Sequence, residues 1–171
     1  DVHDLPGVGE NLQDHYCVRM RWRTKGALTF NDRVRGIRAL REGIDYILRK
    51  RGVLSMPTLP IGAFVRTRDE LASPDVQFQI LPGTYQSIQD RRLDPEPGVT
   101  IGVTMLRLES RGYVHAKSPD FRAQPSIWHN MLSTENDRQT AIAGMKMARR
   151  MMETKVFEPH YDFELTPGRD A

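Results

Sequence analysis

The sequence has almost no cysteine and no long apolar run, and each absence excludes a class of protein. Cys17 is the one cysteine among 171 residues, so no disulfide can form within the chain. Structural disulfides are typical of secreted proteins, and we therefore expect a reducing, cytoplasmic environment. No apolar stretch reaches the length of about 18 residues that a membrane-spanning helix needs, so the sequence predicts no membrane span.

Metal-binding spacings are also missing. The sequence contains no His-x-x-x-His and no Cys-x-x-Cys, the patterns that bring ligands together around zinc. We therefore expect no metal site. His129, which follows Trp128, is a candidate for a catalytic base, and the alternative is a histidine at a strand end or on the surface. The histidines are His3, His15, His115, His129 and His160.

Positive and negative charges nearly balance over the whole chain, but one segment has an excess of positive charge. The net charge is +3, with 39% hydrophobic and 27% charged residues, which is ordinary for a soluble globular domain. Residues 32–51 combine many arginines with an apolar stripe at helical spacing, so we predict a helix there. Its cationic face is either solvated or binds an anionic partner such as nucleic acid, although Glu42 and Asp45 interrupt it. The stripe consists of Val34, Ile37, Leu40, Ile44, Ile47 and Leu48.

The alternation of apolar and polar residues predicts an α+β domain. A second helix is predicted at 135–153, where Thr134 and Asp137 have the spacing of a capping box. Residues 24–31 and 82–98 are predicted loops. Because strands and helices do not alternate strictly, we expect a largely antiparallel or mixed sheet backed by helices. The predicted strands cover 16–23, 61–66, 75–81, 99–106 and 112–117, and residues 161–165 form a short apolar stretch.

The first residues form a connector whose composition excludes a regular helix or strand. Pro6 fixes its own φ angle, while Gly7 and Gly9 allow positive φ angles, so the backbone turns tightly. A tight turn with free N–H groups can approach a ligand closely. The glycines do not form a dinucleotide-binding fingerprint, because a third glycine and a preceding strand are both missing.

Three segments of the chain resemble motifs of the glucose-methanol-choline (GMC) oxidoreductases, a family of FAD-dependent enzymes. They follow the family's order and fit its spacing, so the resemblance covers the whole chain. The segments are Asp4-Leu5-Pro6-Gly7-Val8-Gly9-Glu10-Asn11-Leu12-Gln13-Asp14-His15, then Ser110-Arg111-Gly112-Tyr113-Val114-His115-Ala116-Lys117-Ser118-Pro119-Asp120 with Asn130-Met131-Leu132-Ser133 after it, and Glu164-Leu165-Thr166-Pro167-Gly168.

The resemblance implies that the chain is part of a longer enzyme that oxidises an alcohol by hydride transfer to FAD. In this family the first segment marks a domain crossing, so residues 1–15 are expected to connect from an FAD-binding domain and residues 16–171 to form the substrate-binding domain. Asn11, Leu12 and His15 are then expected to bind the cofactor, although His15 could equally serve only to hold the crossing together. The catalytic histidine is expected outside this chain, so the chain alone should bind no FAD and be inactive.

The predicted sheet has one polar face, and the family architecture would turn that face toward the flavin and the substrate. The polar residues that alternate with apolar ones along two predicted strands are the expected substrate-binding residues. They are Gln77, Gln79, Thr100 and Thr104. The alternative is a one-sided sheet whose polar face meets only solvent. A small-molecule alcohol is the expected ligand. The opposite face is expected to pack under both helices and carries Val76, Phe78, Ile80, Val99, Ile101 and Val103.

One departure from the family bears on the substrate. In choline-oxidising members of the family, a segment before the second sheet strand resembles Glu-x-Gly-x-Phe. Its glutamate can hold the quaternary ammonium group. The matching run here extends from Pro60 to Phe64, so no carboxylate stands at that position. A trimethylammonium group would then depend on aromatic faces alone, and a neutral alcohol fits better than choline. The alternative to an enzyme is a non-catalytic α+β module whose basic helix binds an anionic partner.

Overall fold

The computed structural model describes His3, residues 5–87 and residues 92–170. Nine strands and three α-helices occur in these residues. The strands are β1 (Cys17–Thr24), β2 (Ile61–Val65), β3 (Val76–Leu81), β4 (Tyr85–Ser87), β5 (Arg92–Leu93), β6 (Gly98–Met105), β7 (Tyr113–His115), β8 (Ser126–Trp128) and β9 (Tyr161–Thr166). The helices are α1 (Phe30–Arg33), α2 (Gly36–Arg49) and α3 (Glu135–Met152), with a short 3₁₀ helix at Val53–Ser55.

A five-stranded sheet forms the centre of the fold, in the order β2-β3-β6-β1-β9. Every pair of neighbouring strands is antiparallel, so the predicted α+β class with a largely antiparallel sheet is confirmed. β1 and β6 pair from Cys17 opposite Thr104 to Arg23 opposite Gly98. Their alternating residues suit a sheet with one buried face and one open face.

The core lies between one face of this sheet and α3. Trp22, Ile101 and Val103 of the central strands are almost completely buried, and Ala148 and Met152 of α3 pack against them. Burying one large apolar side chain stabilises a fold by about 1.5–3 kcal/mol. The second predicted helix therefore occupies its expected place on the apolar face of the sheet.

The prediction of one continuous helix over residues 32–51 is wrong. The chain forms α1 and α2 instead, and residues 34–35 separate them. Asn31 of α1 is fully buried, and its amide donates to the carbonyl oxygens of Thr84 at 2.8 Å and of Asp94 at 2.9 Å. These tertiary hydrogen bonds hold α1 against the β4–β5 segment, and no helical periodicity could have revealed them.

The position of α2 also differs from the prediction. No residue of α2 is buried, and Ile37 and Ile47 of its apolar stripe remain 78% and 70% exposed. Its main neighbours are α1 and the 3₁₀ helix rather than the sheet. Within the described part of the chain, α3 alone packs extensively on the apolar face of the sheet, where two helices were predicted.

Three short strands, β4, β5 and β8, were not predicted. β4 and β5 pair within residues 82–98, which were predicted as a loop. β8, for which no strand was predicted, pairs with β7. Each of these strands has only two or three residues, which is too short for a period-two pattern to emerge.

Candidate functional site

A cavity of about 1010 Å³ lies on the face of the sheet opposite the core. Its volume is at the upper end of the range of about 300–1,000 Å³ that is usual for small-molecule sites. Alternate residues of β1, β3 and β6 form its floor, because side chains of one parity project to the same face. The floor comprises Cys17, Arg19, Arg21, Gln79, Leu81, Thr100, Gly102 and Thr104. The rim comprises His15, Thr58, Leu59, Tyr85, Gln86, Ser87 and Thr166.

Gly102 brings no side chain of its own to the middle of the floor. In the strand register it lies directly between Arg19 on β1 and Gln79 on β3. A Cβ atom at this position would come within 3.0 Å of the Cys17 Sγ atom, which is closer than ordinary packing. The small Cys17 thiol is therefore the side chain nearest to the space over Gly102, between the strand positions of Arg19 and Gln79.

The arginines of β1 differ in how they are held. Arg21 donates to the Tyr85 carbonyl oxygen and to the Thr166 hydroxyl, both at 2.8 Å. Arg23 forms its ion pairs outside the cavity lining. Arg19 is exposed and has no hydrogen-bond or ion-pair partner among the described residues. No aspartate or glutamate of the described chain lines the cavity, so its floor is positively charged.

Three of the polar residues predicted to bind substrate line this cavity. Gln79, Thr100 and Thr104 lie on its floor. The Thr100 hydroxyl donates to the Gly83 carbonyl oxygen at 2.8 Å and is therefore engaged within the fold. Gln77 lies opposite Thr104 on the same face but outside the lining. The cavity is thus on the face expected from the sequence, while contact with a substrate stays a prediction for all four residues.

Pro60 lies at the edge of the site. It immediately precedes β2 and does not belong to the lining, whereas its neighbours Thr58 and Leu59 do. Any influence of Pro60 on the choice of substrate is therefore exerted through the path of this segment. Its assignment as a substrate-binding residue stays a prediction.

The connector pairs with the second GMC-like motif. Leu12 and Gly112 exchange two backbone hydrogen bonds of 3.0 Å, which fixes the connector along the β7–β8 pair. Asn11, directly before this bridge, adopts a left-handed conformation with a φ angle of 58°. His15 lines the cavity rim, while Asn11 and Leu12 do not. A role of these three residues in binding a cofactor stays a prediction.

A buried carboxylate ties the second motif to α3. Asp137 is 1% exposed and accepts hydrogen bonds from the Glu109 and Ser110 N–H groups, both at 2.9 Å, and from the Ser110 hydroxyl. Burial raises the pKa of Asp137, but these hydrogen bonds, led by that of the Ser110 side chain, lower it on balance below its ordinary value. The predicted capping box is half formed: Thr134 accepts from the Asp137 N–H at 3.2 Å, while the carboxylate bonds elsewhere.

Three of the seven cations of residues 33–51 are held by contacts within the chain. Arg33 pairs with Glu42 at 3.1 Å, and Arg49 pairs with Asp45 at 3.3 Å. Arg35 donates to two backbone carbonyl groups near β5. These contacts divide the cationic surface, so the arrangement favours a solvated helix over one that binds an anionic partner.

Other kinds of site find no support in the described ranges. No group of three or more His, Cys, Asp or Glu side chains in them is placed to hold a metal ion. None of their helices has both the length and the apolar character to cross a membrane. His129, the candidate base, is exposed and lies outside the cavity lining. The cavity over the sheet is therefore the candidate site.

Arg19 and Arg21 are site residues that the sequence reasoning missed. Their alternation with the apolar residues of the first predicted strand was visible. The alternation within one strand separates its residues into two faces. It does not show which residues of the neighbouring strand share each face, because that depends on the register between the strands. The pairing of β1 with β6 places both arginines beside Thr100 and Gly102.

Curated proteins match the chain over nearly its whole length. It is 32% identical over 170 residues to the oxygen-dependent choline dehydrogenase of Pectobacterium carotovorum subsp. carotovorum (strain PC1), an alignment that covers 99% of this chain and 30% of that protein. It is 31% identical to the enzyme of the same name from Pseudomonas putida (strain GB-1), with the same coverage. The chain thus spans about 30% of the length of these curated relatives.

Solved structures share the fold. Formate oxidase from Aspergillus oryzae RIB40 superposes with a TM-score of 0.79 at 20% identity, over 93% of this chain and 32% of that one. Pyridoxine 4-oxidase from Mesorbium loti gives a TM-score of 0.67 at 16% identity, over 98% of this chain and 29% of that one. Residues 109–170 match the profile of the GMC oxidoreductases. The resemblance to the GMC oxidoreductases that was drawn from the three motifs is confirmed.

Proposed function

We propose that the chain is the substrate-binding part of an FAD-dependent oxidoreductase that oxidises the CH–OH group of a small alcohol. The observation that carries this proposal is the cavity, an open space with a polar floor on the sheet face opposite the core. The named activity of its curated relatives supports it, since these are oxygen-dependent choline dehydrogenases and choline is an alcohol.

The proposal assigns the residues 1–15 to a connector from an FAD-binding domain and residues 16–171 to the substrate-binding domain. Asn11, Leu12 and His15 are proposed to approach the cofactor from the end of this connector. The rim position of His15 supports this assignment, and the backbone bridge at Leu12 holds the connector beside the cavity.

The residues of the cavity fit a flavin on its open side. The edge of a flavin ring carries carbonyl and ring-nitrogen acceptors, which suit a polar lining rich in N–H and O–H donors. No described carboxylate lines the cavity, where it would repel those acceptors. The volume of about 1010 Å³ leaves room for a small alcohol beside a ring edge.

The chain's own residues are proposed to bind and orient the alcohol. Bound FAD would supply the acceptor for the hydride of the carbinol C–H bond, and a base outside this chain would take the hydroxyl proton, so that the alcohol would become a carbonyl. The Gln79 amide can hold the substrate by a hydrogen bond. Leu59 and Tyr85 on the rim limit the access of water to that position.

The same site argues against choline as the substrate, although choline dehydrogenases are among the relatives. A quaternary ammonium group requires a carboxylate or an aromatic cage. Pro60 stands where a glutamate would be needed, and no aspartate or glutamate of the described chain lines the cavity. The exposed Arg19 would in addition repel a cation.

The test uses the full-length protein that contains this chain. We expect a visible flavin spectrum that bleaches when a small alcohol is added without oxygen. Gln79→Leu should raise KM by about 5- to 10-fold, the effect of one lost hydrogen bond. Gln124→Leu is the control, because Gln124 is exposed and lies outside the cavity lining. A protein without flavin, or equal effects of the two substitutions, would contradict the proposal.

A further inference from the structure

We propose that the cavity selects an alcohol that carries a carboxylate, and that Arg19 is the residue that recognises this group. The inference rests on the proposed function and adds the chemical class of the substrate. It replaces the neutral alcohol expected from the sequence with an anionic one.

The first argument is the unpaired state of Arg19. Arg21 and Arg23 lie on the same strand and face, and both have acceptors within the chain. Arg19 is exposed on the cavity floor and has no such partner among the described residues. A guanidinium has five N–H donors in a rigid fork that matches the two oxygens of a carboxylate. Arg19 is therefore free to bind an anion.

The second argument is the charge of the surrounding lining. Arg19 and Arg21 both border the cavity, and no aspartate or glutamate of the described residues does. The acceptors of Arg21 are a backbone carbonyl and the Thr166 hydroxyl, which are neutral, so its positive charge is not compensated there. Two uncompensated cations in a partly enclosed space attract an anion and repel a cation.

The third argument is the space beside Arg19. Gly102 is the β6 residue opposite Arg19, and Gln79 follows on the other side of Gly102. Gly102 adds no side chain of its own between these two positions, and the group nearest to its Cβ position is the small Cys17 thiol. A carboxylate placed above this thiol can accept hydrogen bonds from both the guanidinium and the Gln79 amide.

Another possible role for Arg19 is to face the flavin itself. A guanidinium that contacts the cofactor changes turnover of every substrate by the same factor. A guanidinium that binds the substrate carboxylate changes turnover of anionic substrates alone. The two roles are therefore separated by comparing substrates of equal size and different charge.

The experiment measures steady-state oxidation by the full-length flavoprotein with an artificial electron-accepting dye. The first substrate pair is β-hydroxypropanoate and its amide, which differ in charge but hardly in size. The second pair is choline and dimethylbutanol, its neutral isostere. Propanoate and propanamide serve as inhibitors, so that binding is measured without turnover.

We expect the carboxylate to exceed its amide in kcat/KM, and choline to fall below dimethylbutanol. Arg19→Gln should lower kcat/KM for β-hydroxypropanoate by about 10- to 100-fold, the range of a charge-assisted hydrogen bond, and change the amide little. Arg19→Lys should restore part of the loss. Arg107→Gln is the control, because Arg107 is also exposed but lies outside the cavity lining. It should leave the ratio of kcat/KM between the carboxylate and its amide unchanged.

Three results would overturn the inference. The amide could have the same kcat/KM as the carboxylate, or choline could have a higher kcat/KM than its neutral isostere. Alternatively, Arg19→Gln could lower kcat/KM by the same factor for both substrates of a pair. In each case bleaching of the flavin by neutral alcohols would show that the proposed function still holds. A protein that binds no flavin, or whose flavin no alcohol reduces, overturns both.

Discussion

Arg149 and Glu164 form a bidentate ion pair that ties α3 to β9. Arg149 Nε lies 2.9 Å from Glu164 Oε2, and Arg149 Nη2 lies 3.0 Å from Glu164 Oε1. The same Nη2 donates to the Gly168 carbonyl oxygen at 2.8 Å. The Glu164 side chain is only 2% exposed, so its charge depends on this partner. The pair anchors the third GMC-like motif to the helix that backs the core.

Removing the arginine should therefore destabilise the fold. We expect Arg149→Gln to lower the free energy of unfolding by about 2–4 kcal/mol, because it leaves a buried carboxylate without its cation. Chemical denaturation at neutral pH measures the change. Arg169→Gln is the matched control, since Arg169 pairs with Glu153 at 3.1 Å on the surface. A loss as large in the control as in Arg149→Gln would disprove this account.

The sheet and α3 could be predicted from the sequence because the patterns that indicate them lie within short stretches of the chain. Met20 and Trp22 alternate with arginines, and a pleated strand turns such residues to opposite faces. Thr134 caps α3 as its spacing predicted. The helix at 32–51 failed because the burial of Asn31 depends on contacts with a distant segment.

The site was predictable only in part for a similar reason. Gln79 and Thr104 follow from strand parity, and both lie on the cavity floor. Arg19 and Gly102 become neighbours only through the register of β1 against β6, two strands far apart in the chain. Register is set by the packing of the whole sheet and not by either strand alone.

Asp137 should make the free energy of unfolding depend on pH in the acid range. Its pKa is lowered in the fold, so its contribution is complete above its unfolded value of about 3.9 and is lost as the pH falls further. Asp137→Asn should lower the free energy of unfolding by about 2–4 kcal/mol at neutral pH, since two N–H groups and a hydroxyl lose their anionic acceptor. The difference from the unsubstituted chain should shrink below about pH 4.

The measurement is denaturation at several pH values for both proteins. Glu135→Gln is the control, because Glu135 lies on the same helix but is exposed. It should leave the unfolding free energy almost unchanged. A constant difference between Asp137→Asn and the unsubstituted chain from neutral pH into the acid range would show that the carboxylate is not the cause.

The pairing of the connector with the second motif should depend on Gly112. A Cβ atom there would clash with the Trp128 carbonyl oxygen, so Gly112→Ala must separate β7 from β8 or move the connector. We expect a loss of about 1–3 kcal/mol in the free energy of unfolding, as for other overpacked positions. Gly7→Ala is the matched control, because no atom lies within 4 Å of its Cβ position. Equal stabilities of the two variants would contradict the close approach.

The exposed stripe of α2 should affect association more than stability. Ile47 is 70% exposed, so Ile47→Ser should change the free energy of unfolding by no more than about 0.5 kcal/mol. Ile101→Ala, at a fully buried position, should cost about 2–5 kcal/mol. Exposed apolar patches promote association, so the chain should self-associate at high concentration and Ile37→Ser with Ile47→Ser should reduce this in sedimentation experiments. A large loss of stability in Ile47→Ser would mean that α2 packs in the core after all.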